Sequence, residues 1–286
     1  MTDDRICIPT AWETLEPERL TGTILVIGAS DRGKSTLVRW LVEKLLRRQP
    51  KVGWLDGDIG QSTLGVPSTM NLAVLKQFDP NPPQRQGTFF VGSTSPRGHM
   101  LPTLVGVELL NELALKKGAA AVVIDTTGLV AEDAGGGALK QWKIELLRPD
   151  TVIALQRDGE LEHLLAPMRR ERRFTLHEIP VAQGVVARSA EERAGRRRLL
   201  FRRYFEKSQT MQIDPAHIPV YGGETCRPGR LAAFHDGRGL TLALGTIAAT
   251  KTGGLEILTP LDDLSEVAGL RLGSILLDPA TGNEFQ

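Results

Sequence analysis

Residues 28 to 36, Gly28-Ala29-Ser30-Asp31-Arg32-Gly33-Lys34-Ser35-Thr36, carry the spacing G-x-x-x-x-G-K-[ST]. That spacing is a phosphate-binding loop. Its glycines let backbone N–H groups curl inward around phosphate oxygens, and a helix opening after it adds the positive end of its dipole. In such a loop Lys34 reaches the β- and γ-phosphates and the Ser35 hydroxyl binds Mg²⁺. Gly28, Ser30, Asp31, Arg32, Gly33 and Thr36 complete the cradle. ATP and Mg²⁺ are the expected cofactors.

Carboxylates come next. Asp56-Gly57-Asp58-Ile59-Gly60-Gln61-Ser62 follows the apolar Val52-Gly53-Trp54-Leu55, and Asp125-Thr126-Thr127-Gly128 follows the run from Ala119 to Ile124. An acid at the end of an apolar strand sits at the carboxyl edge of a parallel sheet, where such sheets present their ligands. One of Asp56 and Asp58 can orient a cation while the other accepts a proton from an attacking hydroxyl. Asp125 competes for the same cation, since hydrophobic residues followed by an aspartate make the usual Mg²⁺ side of a phosphate-loop site. Three carboxylates exceed that need, which points to one of them acting on the acceptor.

Hydroxyls and guanidiniums supply the remaining chemistry. The loop Gly92-Ser93-Thr94-Ser95-Pro96-Arg97-Gly98-His99 suits phosphate or sugar contacts, although no Ser or Asp partner marks His99 as catalytic. Two basic clusters lie further on, Arg169 to Arg173 and Arg188 to Arg203. In the second, Ser189 with Glu192 is a capping-box pattern, which predicts a helix from Ser189 with Arg188 just outside it and Arg193 in its second turn. A guanidinium near a transferred phosphoryl group stabilises its spreading charge, so Arg188 and Arg193 are candidate catalytic groups on a mobile helix closing over ATP. Most of Arg196 to Arg203 reads as a solvated face. Trp12 is either a hydrophobic plug or a surface on which a purine stacks.

The elements that must hold these groups alternate along the chain. Ile24-Leu25-Val26-Ile27 is a strand before the phosphate loop, and Leu37, Val38, Leu41, Val42 and Leu45 recur at helical spacing after it. Residues 63 to 88 are rich in Pro, Asn and Gln and read mostly as loop, ahead of a short strand at Thr88 to Val91. Helices near 102–116 and 138–147 alternate with strands near 119–124, 151–155 and 179–182. Such alternation predicts an α/β fold, a parallel sheet flanked by helices and wound by right-handed crossovers. From about residue 213 short alternating segments, including a hairpin across His235 to Gly239, predict a small C-terminal β-rich domain. The expected organisation is a short N-terminal segment over 1–20, a P-loop domain over 21–212 with a helix near 189–205, and the β-rich domain over 213–286.

Bulk properties narrow the partners. Among 286 residues, Lys and Arg total 35 and Asp and Glu 34, so any polyanion site must be local. Cys7 and Cys226 make no metal-type pair and read as free buried thiols of a reducing compartment. No stretch reads as a signal peptide or a membrane span. The chain is expected to be soluble and cytoplasmic with no membrane partner.

Together, the phosphate loop, Asp56-x-Asp58-x-Gly60-Gln61, Gly92-Ser93-Thr94-Ser95-Pro96, Thr126-x-Gly128, the Arg188 to Phe205 helix and the C-terminal β region are similar to the polynucleotide 5′-hydroxyl kinases of the Clp1/Grc3/Nol9 family. The chain resembles a compact prokaryotic member. The resemblance implies that Asp58 faces the 5′-hydroxyl of RNA or DNA as general base and that Asp56 helps place the metal or its waters. It implies that Thr126, Thr127 and Gly128 clasp the lysine and phosphates, that Arg188 and Arg193 are lid arginines, and that Gln61, Ser93, Thr94 and Ser95 are on the substrate side. The family usually has Trp after the clasp glycine, where this chain has Leu129. Larger members carry an N-terminal β-rich domain, where this chain has a short segment around Trp12. Two alternatives remain at this stage. One is a regulatory NTPase that binds a protein partner, although the loop lacks a lysine near its first glycine and Lys251 lacks the aspartate that reads guanine. The other is a non-catalytic ATP-binding scaffold of RNA processing.

Overall fold

The structure is a computed structural model that describes residues 8–79, 81, 83–223, 226–251 and 253–285. In chain order the helices are α1 (Thr10–Glu13), α2 (Lys34–Leu45), α3 (Met100–Lys116), α4 (Gly136–Leu147), α5 (Glu162–Met168) and α6 (Ala190–Phe205). The strands are β1 (Gly22–Gly28), β2 (Val52–Gly57), β3 (Thr69–Leu75), β4 (Gly87–Phe90), β5 (Ala121–Thr126), β6 (Thr151–Gln156) and β7 (Thr175–Pro180). The C-terminal strands are β8 (Gln209–Ile213), β9 (Val220–Tyr221), β10 (Arg230–His235), β11 (Thr241–Lys251), β12 (Gly254–Thr259), β13 (Gly269–Asp278) and β14 (Asn283–Phe285).

The first seven strands make one sheet in the order β4-β3-β2-β5-β1-β6-β7. β1 pairs in parallel with β5 and β6, and β6 in parallel with β7. Ile24, Leu25, Val26 and Ile27 are all fully buried, as an unbroken apolar strand must be when helices cover both faces of a parallel sheet. The expected α/β fold is therefore present, with one departure. Residues 69–75 are not loop: β3 runs antiparallel to β4, with Thr69 opposite Phe90. Met70, Leu72 and Ala73 are buried in that strand, and the surrounding Pro, Asn and Gln residues masked its short apolar pattern. β7 also begins earlier than expected, at Thr175.

The later strands form a second, largely antiparallel sheet in the order β14-β13-β10-β11-β12-β8, with β9 beside β13. The predicted hairpin is β10 with β11, in which Leu231 faces Thr246 and Phe234 faces Ala243.

The chain divides into two compact units. One is built from the described residues of Met1–Leu55, Val74–Pro83 and Asn111–Ala187, the other from those of Asp56–Ala73, Gln84–Leu110 and Arg188–Gln286. In the second unit α6 is not a free helix. Phe201 and Phe205 enter a core with Phe90, Leu231, Ala233, Leu244 and Leu277, and the Tyr204 hydroxyl accepts a hydrogen bond from the Leu244 amide at 2.9 Å. Cys226 is a free, half-buried thiol, and Cys7 lies outside the described residues. Among the described residues no helix is long and apolar enough to cross a membrane.

Candidate functional site

In the first unit β1 ends at Gly28 and α2 opens at Lys34, so the intervening loop is held between a buried strand and a buried helix face. Asp31 at φ 56° and Gly33 at φ 87° both take the left-handed conformation. Alternating such residues turns successive amide N–H groups toward one concavity. Lys34 is 5% exposed, and its ammonium donates to the Ala29 carbonyl at 2.7 Å, which folds the side chain back over its own loop. Arg32 is held elsewhere: its guanidinium forks onto Glu160 at 2.7 and 2.5 Å. That pair holds the Glu160 carboxylate below its usual range and Arg32 above its own. Thr36 is half-buried in the first turn of α2.

Two strand-end groups of β5 meet this loop. Ser35 Oγ donates to Asp125 Oδ2 at 2.5 Å. Gly128 lies against Ser30, where an added Cβ would come within 2.4 Å of the Ser30 amide nitrogen and 2.5 Å of its Cα. Sequence reasoning missed the residue that backs Thr126 and Thr127 from α4. Lys140 of α4 is fully buried, and its ammonium donates to Thr126 Oγ1 at 2.9 Å and to the Thr127 carbonyl at 2.6 Å. Thr126 Oγ1 in turn donates to the Val26 carbonyl of β1 at 2.8 Å. The signal was present, since Lys140 shares a helix face with Leu139, Ile144 and Leu147, where an unpaired lysine would be costly.

Trp12 has the plug geometry. It is 3% exposed with its ring centroid 5.5 Å from that of Trp40, so neither face is open to a purine.

The second unit gathers the other candidates. Asp56 is fully buried, and its Oδ2 accepts from Ser62 Oγ at 2.7 Å and from the amides of Thr63 and Leu64 at 2.6 and 2.8 Å. Burial pushes this carboxyl up, against the hydrogen bonds that pull it down. A group so surrounded organises its loop. Asp58 is half-buried, and its Oδ1 accepts the amides of Gly60 and Gln61 at 3.0 and 3.1 Å. Among the described residues no hydrogen bond reaches its Oδ2.

The Asp58 turn is tied to α6 and to the Ser93 loop. Gln61 Nε2 donates to the Arg193 carbonyl at 3.3 Å, and a Cβ at Gly60 would lie 2.7 Å from the Thr94 carbonyl. Arg196 is an exception to the solvated face expected of most of Arg196 to Arg203. Its guanidinium donates to the carbonyls of Gln61 and Ser62 at 2.9 and 2.8 Å, and burial lowers its pKa from the usual arginine value. The capping box forms as predicted, Glu192 N to Ser189 Oγ at 3.0 Å and Ser189 N to Glu192 Oε2 at 2.6 Å. Arg188 is exposed just outside the helix, and Arg193 Nη1 donates to the Arg188 carbonyl at 2.8 Å. In the hydroxyl loop Ser93 Oγ accepts the Ser95 amide, Ser95 Oγ accepts the Arg97 amide, and Thr94 Oγ1 donates to Glu284. Glu284 also takes Arg197 of α6 at 2.6 Å, so α6, the Ser93 loop and β14 share one ion-paired junction.

A parallel sheet, a phosphate loop opening a helix and a serine hydrogen-bonded to a strand-end aspartate define a P-loop nucleotide-binding protein. Residues 28–207 match the family of the mRNA cleavage and polyadenylation factor CLP1 P-loop, and the chain belongs to that family. The polyribonucleotide 5′-hydroxyl-kinase of Methanocaldococcus jannaschii is 34% identical over 207 residues, 70% of this chain and 54% of the relative. That of Pyrococcus horikoshii is 33% identical over 219 residues, 74% of this chain and 57% of the relative. The chain thus spans about half the length of these curated relatives. The solved structure of wild-type Clp1p in complex with Pcf11p superposes with a TM-score of 0.68 at 14% identity, covering 92% of this chain and 77% of that one, so the two share a fold.

Proposed function

We propose that this chain is a polynucleotide 5′-hydroxyl kinase, moving the γ-phosphate of ATP to the 5′-OH of an RNA or DNA strand. The observations that carry the reading are, in the first unit, a phosphate loop with Ser35 on Asp125 and, in the second, an Asp58 turn whose Oδ2 takes no hydrogen bond among the described residues. The kinase names of relatives about one-third identical support the same chemistry.

In this reading the amides of residues 28–36 and the Lys34 ammonium bind the β- and γ-phosphates. The Ser35 hydroxyl and Asp125 carboxylate are hard oxygen donors that would hold Mg²⁺. The cation neutralises charge on the phosphates when bound. Asp58 Oδ2 orients the 5′-hydroxyl and accepts its proton as the O–P bond forms and the bond to ADP breaks. Arg188 and Arg193 steady the phosphoryl charge, and Ser93, Thr94, Ser95 and Gln61 hold the acceptor side.

The experiment is incubation with γ-labelled ATP and a 5′-OH oligonucleotide. Label on the strand is expected. Free labelled phosphate alone would identify a regulatory NTPase, and neither product a scaffold.

A further inference from the structure

The structure points to a second contact with the strand, on residues of the second unit that the kinase reading does not use. We propose that Tyr221, His235 and Arg271 form a platform for the body of the single-stranded polynucleotide, on which one base stacks and one phosphate is held. The proposal rests on the kinase reading for the place of the 5′ end and on its own geometry for the rest.

Tyr221 is 51% exposed, an uncommon position for an aromatic ring beside a well-packed sheet. It is not loosely held. The Tyr221 ring centroid lies 5.9 Å from that of His235, at 40° between planes. Gly269, on β13 between them, makes the approach possible: a Cβ there would lie 2.7 Å from His235 Nε2 and 3.1 Å from the Tyr221 ring. His235 Nδ1 contacts the Asp236 carbonyl at 3.2 Å, and its Nε2 is buried with no protein partner among the described residues. A buried polar atom left unsatisfied calls for a reason outside the fold. Here the imidazole lies beside the tyrosine ring, tilted to it.

Arg271 neighbours Tyr221 in register across β9 and β13. Its guanidinium lies 5.5 Å over the Phe89 ring, and no carboxylate or carbonyl of the described residues takes its donors. Contrast Arg230, which donates to the Gly273 and Gly222 carbonyls and is part of the scaffold. A guanidinium fixed on an aromatic face with its N–H groups unspent matches a phosphate oxygen. Together the exposed ring and the uncommitted cation are the two components by which sequence-tolerant single-strand sites work.

Continuity with the acceptor loop commits the occupant. Gly269, Arg271 and Gly273 follow one another along one face of β13, and Gly273 packs on Gly92, where a Cβ would lie 2.8 Å from the Gly92 carbonyl. Gly92 opens the loop of Ser93, Thr94 and Ser95. Two same-face steps cover about 14 Å of strand. At the roughly 3.4 Å stacked rise that distance is about four nucleotides, fewer if the strand is stretched.

Length dependence tests this. The KM for a 5′-OH oligonucleotide should fall on going from two to eight nucleotides in the natural protein, and Tyr221→Ala should abolish that gain, about tenfold, at the low end of one base stack. Tyr221→Phe should restore it. Arg271→Ala should lower the salt slope of strand binding by about one counterion. An unchanged length dependence in Tyr221→Ala, or an equal loss with the dinucleotide and the octanucleotide, would overturn the platform. The kinase reading is scored separately: if the natural protein labels no strand, anisotropy of a 3′-labelled octanucleotide still reads the platform. Weakened binding in Tyr221→Ala then supports it, and unchanged binding overturns it.

Discussion

The Ser35 hydroxyl donates to the Asp125 carboxylate at 2.5 Å, joining the first turn of α2 to the end of β5. Both groups carry hard oxygen donors, the kind Mg²⁺ favours. Asp125→Asn should therefore raise the Mg²⁺ concentration needed for half-maximal transfer by about tenfold or more, while Asp56→Asn should leave it unchanged. The check is a Mg²⁺ titration at saturating ATP, and a shift in the Asp56 variant instead would reverse the assignment.

Gly128 touches Ser30 so closely that no side chain fits. Gly128→Ala should push the phosphate loop outward and weaken nucleotide binding by at least about tenfold with the melting temperature nearly kept, since the residue is half-buried rather than core. Titration with a fluorescent nucleotide measures it; parental affinity would mean the loop yields at little cost.

Lys140 is buried with its ammonium on Thr126 and Thr127. Lys140→Met fills the same volume and takes away a charged donor, leaving the Thr127 carbonyl without it. A loss of about 1–3 kcal/mol is expected, of the order measured for a hydrogen bond to a charged group. Thermal or urea unfolding reads it directly, and a variant as stable as the parent would show that the lysine is dispensable to the clasp.

Asp58 and Arg196 act on one turn. Asp58→Asn should nearly abolish strand phosphorylation with ATP binding retained; activity within about tenfold of the parent would remove Asp58 from the base role. Arg196→Lys keeps the charge but cannot fork onto the Gln61 and Ser62 carbonyls. It should lower kcat for the strand and leave the KM for ATP unmoved, as expected for a positioning residue.

Glu160 lies below the usual carboxylate range because Arg32 donates two hydrogen bonds to it, the largest cause, with burial opposing. A folded-state pKa below the unfolded one gives stability that is full above about pH 4.3 and is lost as pH falls through the folded value. Glu160→Gln should flatten the part of the melting temperature profile that lies below about pH 4.3. An acid limb identical to the parent's would show that the pair carries no linkage.

Local pattern was enough for the phosphate loop, the strand before it, the helix after it and the capping box at Ser189, because each is decided by residues within one turn or one strand. The sequence also determined which carboxylates end strands. What it could not decide was how each acid is used. Asp56, Asp58 and Asp125 look alike along the chain, yet one is buried under two amides and a hydroxyl, one caps a turn and one faces Ser35. Lys140 and Arg196 are ordinary charged residues in sequence; only packing shows that one is sealed behind the clasp and the other clamps two carbonyls more than 130 positions away. Burial and long-range hydrogen bonding depend on which surfaces the fold brings together, and a linear spacing does not encode that.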